Sequence, residues 1–399
     1  MSIDATTAIQ EEIPSGVLDY TIETDRFTEA TWNNIVRQFD DAALSQTWSY
    51  GSVRWGASNL SHLVLKRDGR IIAAAQVILT KVRFLDAGLA YVKGGPLWCR
   101  QNAPRELEVL RQMLRALRQT YAGQRGLLLR IFPSGTEDGT GEVRALFREE
   151  GFTRDLTIGE PKTVLIDLSH SLEDIRRSLK PTWRRNLVLA ERNNLRIIEG
   201  STDELFDAFV TLYREMLKRK NIVGVVNIRH YEQIQRRLPD TMKMRVLICE
   251  HQGEPVAGLV VPPLGKTVPN LLAATGNRGL ELRASYLLQW RVLEWLKQQQ
   301  YELYDLDAIN HDSYPGISQF KLGLAGRLGW EAEYLGQFQH CDRSLSALCV
   351  TTGELLRTTY RALLVGRNRV KERLSLATHH RRAEISDISR SSSTDGSDA

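Results

Sequence analysis

Apolar and polar residues follow the same order in the two halves of the chain. Residues 63–79, LVLKRDGRIIAAAQVIL, join two apolar strands through a polar turn centred on Gly69. Residues 246–264, VLICEHQGEPVAGLVVPPL, repeat this arrangement around Gly253. Helical sequence precedes each hairpin and a further helix follows it. The pattern therefore predicts a duplicated mixed α/β domain, with a spacing of 184 residues between the two turns.

Periodicity and composition set the predicted boundaries. We expect one domain over residues 17–160 and a second over 161–342, because a chain of 399 residues exceeds the size at which one core grows well. Residues 343–378 are predicted as a basic helical extension. The polar segments 1–16 and 379–399 are predicted to be disordered.

Cysteine spacing and hydropathy indicate the cellular compartment. Cys99, Cys249, Cys341 and Cys349 show no CxxC spacing, which favours a reducing compartment and argues against a structural zinc site. The first residues are polar and acidic, unlike a signal peptide, and no apolar run is long enough to span a bilayer. These features predict a soluble, cytoplasmic protein whose membrane contact is limited to the surface.

The net charge of +5 is concentrated in two clusters. One lies early in the second half and the other near the end: Arg176, Arg177, Lys180, Arg184, Arg185 and Arg192; and Arg357, Arg361, Arg367, Arg369, Lys371, Arg373, Arg381 and Arg382. Solvated helix faces explain many such clusters. A phosphate-bearing partner such as RNA, a nucleotide or an anionic lipid headgroup is the alternative.

The segment from Tyr301 to Gly336 carries the clearest candidate chemistry. A strand ends in Asp305 and Asp307, and a Gly/Pro loop then leads to Phe320-Lys321 and three glycines. A carboxylate at a strand end points readily into a cleft, and a lysine near small residues can approach an anion. An edge strand with a solvated lysine is the alternative interpretation.

From about residue 45 to 345 the chain resembles the Fem family of aminoacyltransferases. Five strings occur in the family's order and spacing: QTWSYGSVRWG, AYVKGGPLW, SLKPTWRRNLVLAERNNLRI, YLLQWRVLEWLKQQQYELYDLDAI and GISQFKLGLAG. The resemblance implies a tandem of two GNAT-like acyltransferase domains, with mixed sheets flanked by helices. This agrees with the internal repeat.

The resemblance also implies a reaction. Fem enzymes transfer an aminoacyl group from aminoacyl-tRNA to an amine of a peptidoglycan precursor, which is nucleotide-linked or lipid-linked. Such a reaction needs positioning, a proton acceptor and stabilisation of an oxyanion. The resemblance implies neither a cofactor nor a metal. Aminoacyl-tRNA is the co-substrate.

Site residues follow from matched motifs. The Phe320-Lys321 pair implies that Lys321 stabilises the transition state or the tRNA terminus, supported by Phe320. Arg54 occupies the position of the basic residue that contacts phosphate in the family.

Weaker assignments concern the remaining candidates. Trp48 and Tyr50 line the acceptor cleft or belong to the core, and Arg184 and Arg185 bind phosphate or are solvated. Tyr304 and Asp305 lie where GNAT strands splay apart, with Asp305 a catalytic candidate, and His311 is a candidate general base.

Two other functions stay open. GNRGLELRAS, with Arg278, Gly279 and Arg283, is the nearest match to a pyrophosphate loop, and it favours a coenzyme-A-dependent N-acyltransferase of polysaccharide or amino-sugar metabolism. A non-catalytic RNA-binding protein would explain the basic clusters alone. The chain also departs from the Fem pattern, because Asp307-Ala308 stands where many relatives have Gly-Gly.

Overall fold

The computed structural model describes residues 20–82, 85, 87–137, 139–159, 162–220, 226–356 and 359. Its strands are β1 (Tyr20–Thr24), β2 (Leu60–Arg67), β3 (Arg70–Lys81), β4 (Gly88–Lys93), β5 (Leu128–Phe132), β6 (Thr153–Asp155), β7 (Lys162–Asp167), β8 (Arg196–Gly200), β9 (Arg245–His251), β10 (Glu254–Val261), β11 (Thr267–Pro269), β12 (Leu272–Thr275), β13 (Leu303–Asp305), β14 (Gly329–Glu333) and β15 (Gln337–His340).

The helices surround these strands. They are α1 (Glu29–Val36), α2 (Trp48–Trp55), α3 (Leu107–Leu117), α4 (Glu142–Glu149), α5 (Leu172–Ser178), α6 (Pro181–Glu191), α7 (Asp203–Lys220), α8 (Ile228–Arg237), α9 (Asn277–Glu281), α10 (Ala284–Gln298), α11 (Pro315–Ala325) and α12 (residues 344–356). Arg118–Gln124 continues α3 as a π-helical turn, and single 3₁₀ turns lie at Leu44–Gln46, Ala57–Asn59, Leu156–Ile158 and Asp240–Met242.

The two predicted hairpins are confirmed, and their turns are alike. β2 and β3 are joined by Asp68 and Gly69, with φ angles of 52° and 73°. β9 and β10 are joined by Gln252 and Gly253, with φ angles of 54° and 84°. Two consecutive left-handed residues define the tight turn that matches the twist of paired strands. The repeat seen in the sequence is therefore a repeat of structure.

Three sheets are built around these hairpins. A seven-stranded sheet has the order β1-β2-β3-β4-β5-β15-β6, in which only the β4–β5 pair is parallel. The second half forms two four-stranded sheets, β12-β10-β9-β8 and β11-β13-β7-β14. The mixed α/β fold class is thus confirmed.

β7 and β15 each pair in a different sheet from the strand that precedes them in the chain, and we call this arrangement the strand exchange. β7 follows β6 in the chain but lies between β13 and β14, to which it pairs antiparallel. β15 follows β14 but lies between β5 and β6. The predicted boundary near residue 160 falls just before β7. The range 161–342 therefore contains one strand of the first sheet, Gln337–His340.

Buried apolar residues form three clusters, one of which joins the halves. This joint cluster contains residues from α1 and α2 together with residues from α7, α8 and β9, including Trp32, Phe39, Tyr50, Phe206, Phe209, Tyr231 and Met242. The other two clusters lie under the first sheet and within the second half. The described residues up to Arg343 form one compact unit, and α12 belongs to a second.

The Gly/Pro segment before Phe320 is helical, with Pro315 in the first turn of α11, where its missing N–H costs nothing. A side chain at Gly323 would place its Cβ 2.8 Å from Trp183 Cδ1. At Gly326, which ends the helix with φ +64°, a Cβ would lie 2.3 Å from the Ser178 carbonyl oxygen. Both glycines allow α11 to approach its neighbours closely. They serve packing, not the anion approach that their spacing suggested.

Several predicted segments lie outside the described residues. These are the termini 1–16 and 379–399 and most of the basic extension, which is described as a helix only over 344–356.

We expect Phe338→Ala to lower the free energy of unfolding by about 3–5 kcal/mol. The ring is 1% exposed and stacks on Phe147, with ring centroids 4.1 Å apart. Because β15 connects the halves, urea denaturation followed by circular dichroism and tryptophan fluorescence should show one shared transition. Trp330→Ala is the control, since that ring is 44% exposed and its loss should cost less than about 1 kcal/mol. Separate transitions of the two halves would contradict the strand exchange.

Candidate active site

The sheet of the second half splits at Asn270. β11 pairs in parallel with β13, whereas β12 pairs with β10. Between them, the Asn270 N–H donates to the Asp305 carbonyl at 2.7 Å and the Leu271 N–H donates to the Val260 carbonyl at 3.1 Å. The corresponding strands of the first half, β4 and β5, stay paired over five residues. The second half therefore carries an opening between strands, and β13 forms one of its edges.

Asp305 ends β13 and is 8% exposed. Its Oδ1 accepts hydrogen bonds from the Thr163 hydroxyl and, at 2.8 Å, from the Asp307 N–H. Its Oδ2 accepts one from the Tyr334 hydroxyl at 3.3 Å. Burial raises the pKa of this carboxyl, and the hydrogen bonds partly offset that rise. Both carboxylate oxygens are thus engaged in holding neighbouring groups.

The turn after Asp305 presents Lys321. Asp307 has a left-handed φ of 65°, and the hydrogen bond to Asp305 holds it there. The carbonyl oxygens of Asp307 and Ala308 then accept hydrogen bonds from Lys321 Nζ at 3.1 and 2.8 Å. Burial lowers the pKa of Lys321, while the Asp307 and Asp305 charges raise it. An ammonium has three N–H donors, so these carbonyls leave one for a ligand.

An aromatic group holds α11 against α6 and α10. The Phe320 ring lies 5.0 Å from Tyr286, edge to face, and 5.9 Å from Trp183. One turn before Lys321, the buried Ser318 hydroxyl has no hydrogen-bond partner among the described residues. Residues three apart share a helix face, so Ser318 and Lys321 lie on the same side of α11.

Tyr304 is part of the core. Its ring is completely buried and its hydroxyl donates to Gln289 Oε1 at 2.8 Å. Burial raises the pKa of this phenol. The structure places Tyr304 behind the strand end, not on a surface that a substrate would meet.

His311 lies in an exposed loop. Its Nε2 is 3.3 Å from the Glu331 carboxylate, and its side chain is 52% exposed. The described contacts of this ring are with Glu331, not with Asp305 or Lys321.

A second group of candidate side chains lies where α8 meets the first half. Arg54 lies over the rings of Tyr50 and Trp55, with its Cζ 5.7 and 5.6 Å from their centroids. Lys93 Nζ is 5.8 Å from the Tyr50 centroid, and Tyr231 contacts Tyr50 edge to face at 6.3 Å. We call Tyr50, Arg54, Lys93 and Tyr231 the tyrosine–cation cluster.

Burial dominates the electrostatics of this cluster. It lowers the pKa of Lys93, which Tyr231 raises and Arg54 lowers further. It also raises the pKa of Tyr231 to about 12. In the part of the chain that the structure describes, neither Arg54 nor Lys93 forms an ion pair with a carboxylate. Two half-buried cations without a counter-ion suit a phosphate-bearing ligand.

The local sequence explains where Lys93 lies. The Gln46 side chain donates to the Lys93 carbonyl at 2.9 Å and fixes the end of β4. The glycine after it, Gly94, has φ +66°, and a Cβ there would lie 2.1 Å from Ser45 Oγ. The KGGPLW turn therefore fits closely against residues 45–46.

Trp48 lies beside this cluster and packs on His62. The two rings are stacked, 4.3 Å apart and inclined by 5°. Burial lowers the pKa of His62 to about 4, so the histidine is neutral at physiological pH. The observed contact of Trp48 is thus with the core.

The remaining predicted residues lie apart on exposed helix faces. Arg184 and Arg185 are exposed on α6. Arg278 forms an ion pair with Glu281 at 2.8 Å. A Cβ at Gly279 would lie 2.2 Å from the Val256 carbonyl, so packing accounts for this glycine without a pyrophosphate.

The structure thus brings together Asp305 with Lys321, and Tyr50 with Arg54. Sequence reasoning missed five residues near them: Thr163, Tyr334, Ser318, Lys93 and Tyr231. Lys93 lay inside a quoted motif, AYVKGGPLW, and its basic character was the available signal. The others contact the site only through tertiary pairing, which a single sequence does not display.

No helix among the described residues has the length and apolar character needed to cross a bilayer.

Comparison with known proteins identifies the fold. Residues 174–321 match the family described as acetyltransferase (GNAT) domain. No curated protein is significantly similar in sequence.

Solved structures cover most of the chain. FemX superposes with a TM-score of 0.67 at 14% identity, over 80% of this chain and 97% of FemX. The C-terminal domain of a putative lysylphosphatidylglycerol synthetase from Agrobacterium fabrum gives a TM-score of 0.53 at 12% identity, over 82% of this chain and 96% of that domain. A protein of unknown function from Bacteroides thetaiotaomicron gives 0.52 at 12% identity, over 80% and 99%. The chain therefore has the tandem GNAT acyltransferase fold that FemX represents.

Proposed function

We propose that the protein is an aminoacyltransferase that moves an aminoacyl group from aminoacyl-tRNA to an amine of a peptidoglycan precursor. The observation that carries the proposal is the half-buried Lys321 ammonium, presented by the Asp307 and Ala308 carbonyls beside the opening in the second GNAT sheet. Because charged tRNA is a cytoplasmic co-substrate, the proposal locates the reaction in the cytoplasm.

In this reaction the acceptor amine attacks the ester carbonyl of the aminoacyl-tRNA. A C–N bond forms, the C–O bond to the ribose breaks, and negative charge develops on the carbonyl oxygen. The third N–H of Lys321 donates to that oxygen, in an environment where burial strengthens the interaction. Phe320 supports Lys321 by fixing α11 on Trp183 and Tyr286.

The proton that the attacking amine loses also needs an acceptor. Both oxygens of Asp305 already accept hydrogen bonds, and His311 is engaged with Glu331. The departing ribose oxygen needs a proton as its bond breaks, so we assign the amine proton to that oxygen. Asp305 then acts as a positioning residue for the turn that holds Lys321.

The tyrosine–cation cluster supplies a place for the acceptor. A nucleotide-linked or lipid-linked precursor carries phosphate, and Arg54 can bind it bidentately while Lys93 adds a second charge. The flanking tyrosines exclude water from one side of the site.

One observation favours a coenzyme-A-dependent N-acyltransferase as a second candidate. Residues 174–321 match a family described as an acetyltransferase domain. Against it, Gly279 is required for packing and Arg278 is paired with Glu281. A non-catalytic RNA-binding protein would not need the buried support behind Lys321.

The decisive experiment is to incubate the protein with mixed aminoacyl-tRNAs and with candidate nucleotide-linked and lipid-linked precursors. Mass spectrometry should reveal a precursor heavier by one aminoacyl residue. Parallel reactions with acyl-CoA donors test the second candidate. Transfer from acyl-CoA but not from tRNA would overturn the proposal.

Lys321→Met should lower kcat about a hundredfold, because one charged donor to the oxyanion is lost. Lys297→Met is a closely matched control, since Lys297 Nζ also donates to two backbone carbonyls, those of Leu168 and Ser169, at 2.7 and 3.1 Å. Both variants should shift Tm by similar amounts, whereas only the first should lose turnover. Near wild-type turnover of Lys321→Met would refute the catalytic assignment.

Arg54→Gln with Lys93→Gln should raise KM for the precursor and leave KM for tRNA unchanged. The pH dependence provides a second readout. Because the folded pKa of Lys93 is below the usual 10.5, its charge and its share of acceptor affinity should be lost as pH rises through that lowered value. Lys93→Arg should remove this loss. Equal changes in KM for both substrates would count against a phosphate site.

Arg184→Gln with Arg185→Gln should weaken tRNA binding and reduce its dependence on salt, since fewer counterions are released. The adjacent, exposed pair Arg236 and Arg237 on α8 provides the control double substitution. Filter binding over a range of salt concentrations measures both effects. Equal losses from the two pairs would show that α6 has no special role.

A further inference from the structure

Helix α12 exposes a row of leucines. The exposed fractions are 48% for Leu345, 65% for Leu348, 67% for Leu355 and 66% for Leu356. Steps of three and seven residues place side chains on one helix face. Ser346, which lies off this face, is completely buried. We call these four leucines the leucine face. An ordinary surface helix buries its apolar side chains and exposes its polar ones, and α12 shows the reverse.

The charges of α12 are confined to one position away from the leucine face. Residues 344–356 contain no lysine or arginine, and Glu354 is the single acid. At 100° per residue, Glu354 points away from the centre of the leucine face. Thr352 is exposed on the same side as the four leucines, so the leucine face offers a partner apolar area with one hydroxyl and no charge.

The sequence that follows α12 has the opposite character. Residues 357–382 carry eight arginines or lysines and one acid, Glu372. This excess is larger than the +5 of the whole chain. Apart from residue 359, this segment lies outside the described residues. An apolar helix face and a basic segment are consecutive in the chain.

We propose that α12 and the basic segment bind the surface of a bilayer that contains anionic lipid. Leucine side chains enter the boundary between headgroups and acyl chains, while arginine and lysine are attracted to the anionic headgroups. A phosphate backbone such as RNA would use the basic segment but has no use for the leucine face. A second copy of the chain could cover the leucines but would meet a like charge in the basic segment.

The mode of binding follows from the leucine face. A helix with one apolar face lies in the plane of the membrane surface, with that face toward the acyl chains. This inference does not depend on the proposed activity. It would bring the protein to a lipid-linked acceptor, if that is the form it uses.

The test uses the full chain with vesicles of phosphatidylcholine, alone or mixed with phosphatidylglycerol, in a co-sedimentation assay. We expect binding to the mixed vesicles that falls with salt, and little binding to the neutral ones. Leu348→Glu should weaken binding about tenfold or more, because it removes apolar area and adds a repelled charge.

Gly353→Glu is the charge-matched control. A Cβ at Gly353 meets nothing within 4 Å, and glutamate favours helix more than glycine does. Equal vesicle binding by the two variants would overturn the proposal, since charge alone would then explain any loss. Binding to RNA without binding to vesicles would overturn it as well. So would a dimer that Leu348→Glu dissociates in the absence of vesicle binding. Aminoacyl transfer in solution is measured separately, so its failure leaves this result unaffected.

Discussion

β15 hydrogen-bonds to β5 and β6 although the chain reaches it from β14, and β7 hydrogen-bonds to β13 and β14 although the chain reaches it from β6. Neither the seven-stranded sheet nor the sheet β11-β13-β7-β14 is complete without a strand that the chain reaches from the other sheet. An apolar cluster shared by α1, α2, α7 and α8 reinforces this dependence. The exchange also shapes the candidate active site, because Thr163 belongs to β7. The hydroxyl that binds Asp305 arrives on the exchanged strand.

Asp305 supports Lys321 through a series of hydrogen bonds. A buried carboxylate is costly unless its oxygens are hydrogen-bonded, and Thr163, Tyr334 and the Asp307 N–H supply those bonds. The last of them holds Asp307 in a left-handed conformation that a non-glycine residue seldom adopts. This turn aims two carbonyls at Lys321. Asp307 is not a glycine, and the Asp305 hydrogen bond provides the restraint that its left-handed conformation requires.

Local signals in the sequence predicted the elements well. Both hairpins have the tight turns that Gly69 and Gly253 indicated. Strand exchange could not be read in the same way, because β7 and β15 have ordinary strand patterns and their partners are distant in sequence. The same limit applied to Tyr231, which meets Tyr50 only after α8 docks on the first half.

Glycine spacing misled for a physical reason. Gly323, Gly326 and Gly279 suggested close approach of an anion, and each does permit a close approach, but to protein atoms: Trp183, Ser178 and Val256. A missing Cβ is equally useful for a helix that packs tightly and for a loop that binds phosphate. The sequence reveals that space is needed and not what fills it.

The two halves share a topology but differ at one pair of strands. In the first half β4 and β5 remain paired to Lys93, so this sheet is closed and its strand end offers a cation. In the second half the corresponding strand divides at Asn270 and opens the sheet beside Asp305. A closed sheet is a rigid platform for holding a charged acceptor, whereas an open one admits a reacting group between strands. Under the proposed function, duplication followed by this single change separates acceptor binding from chemistry. The strand exchange keeps the two sites in one body.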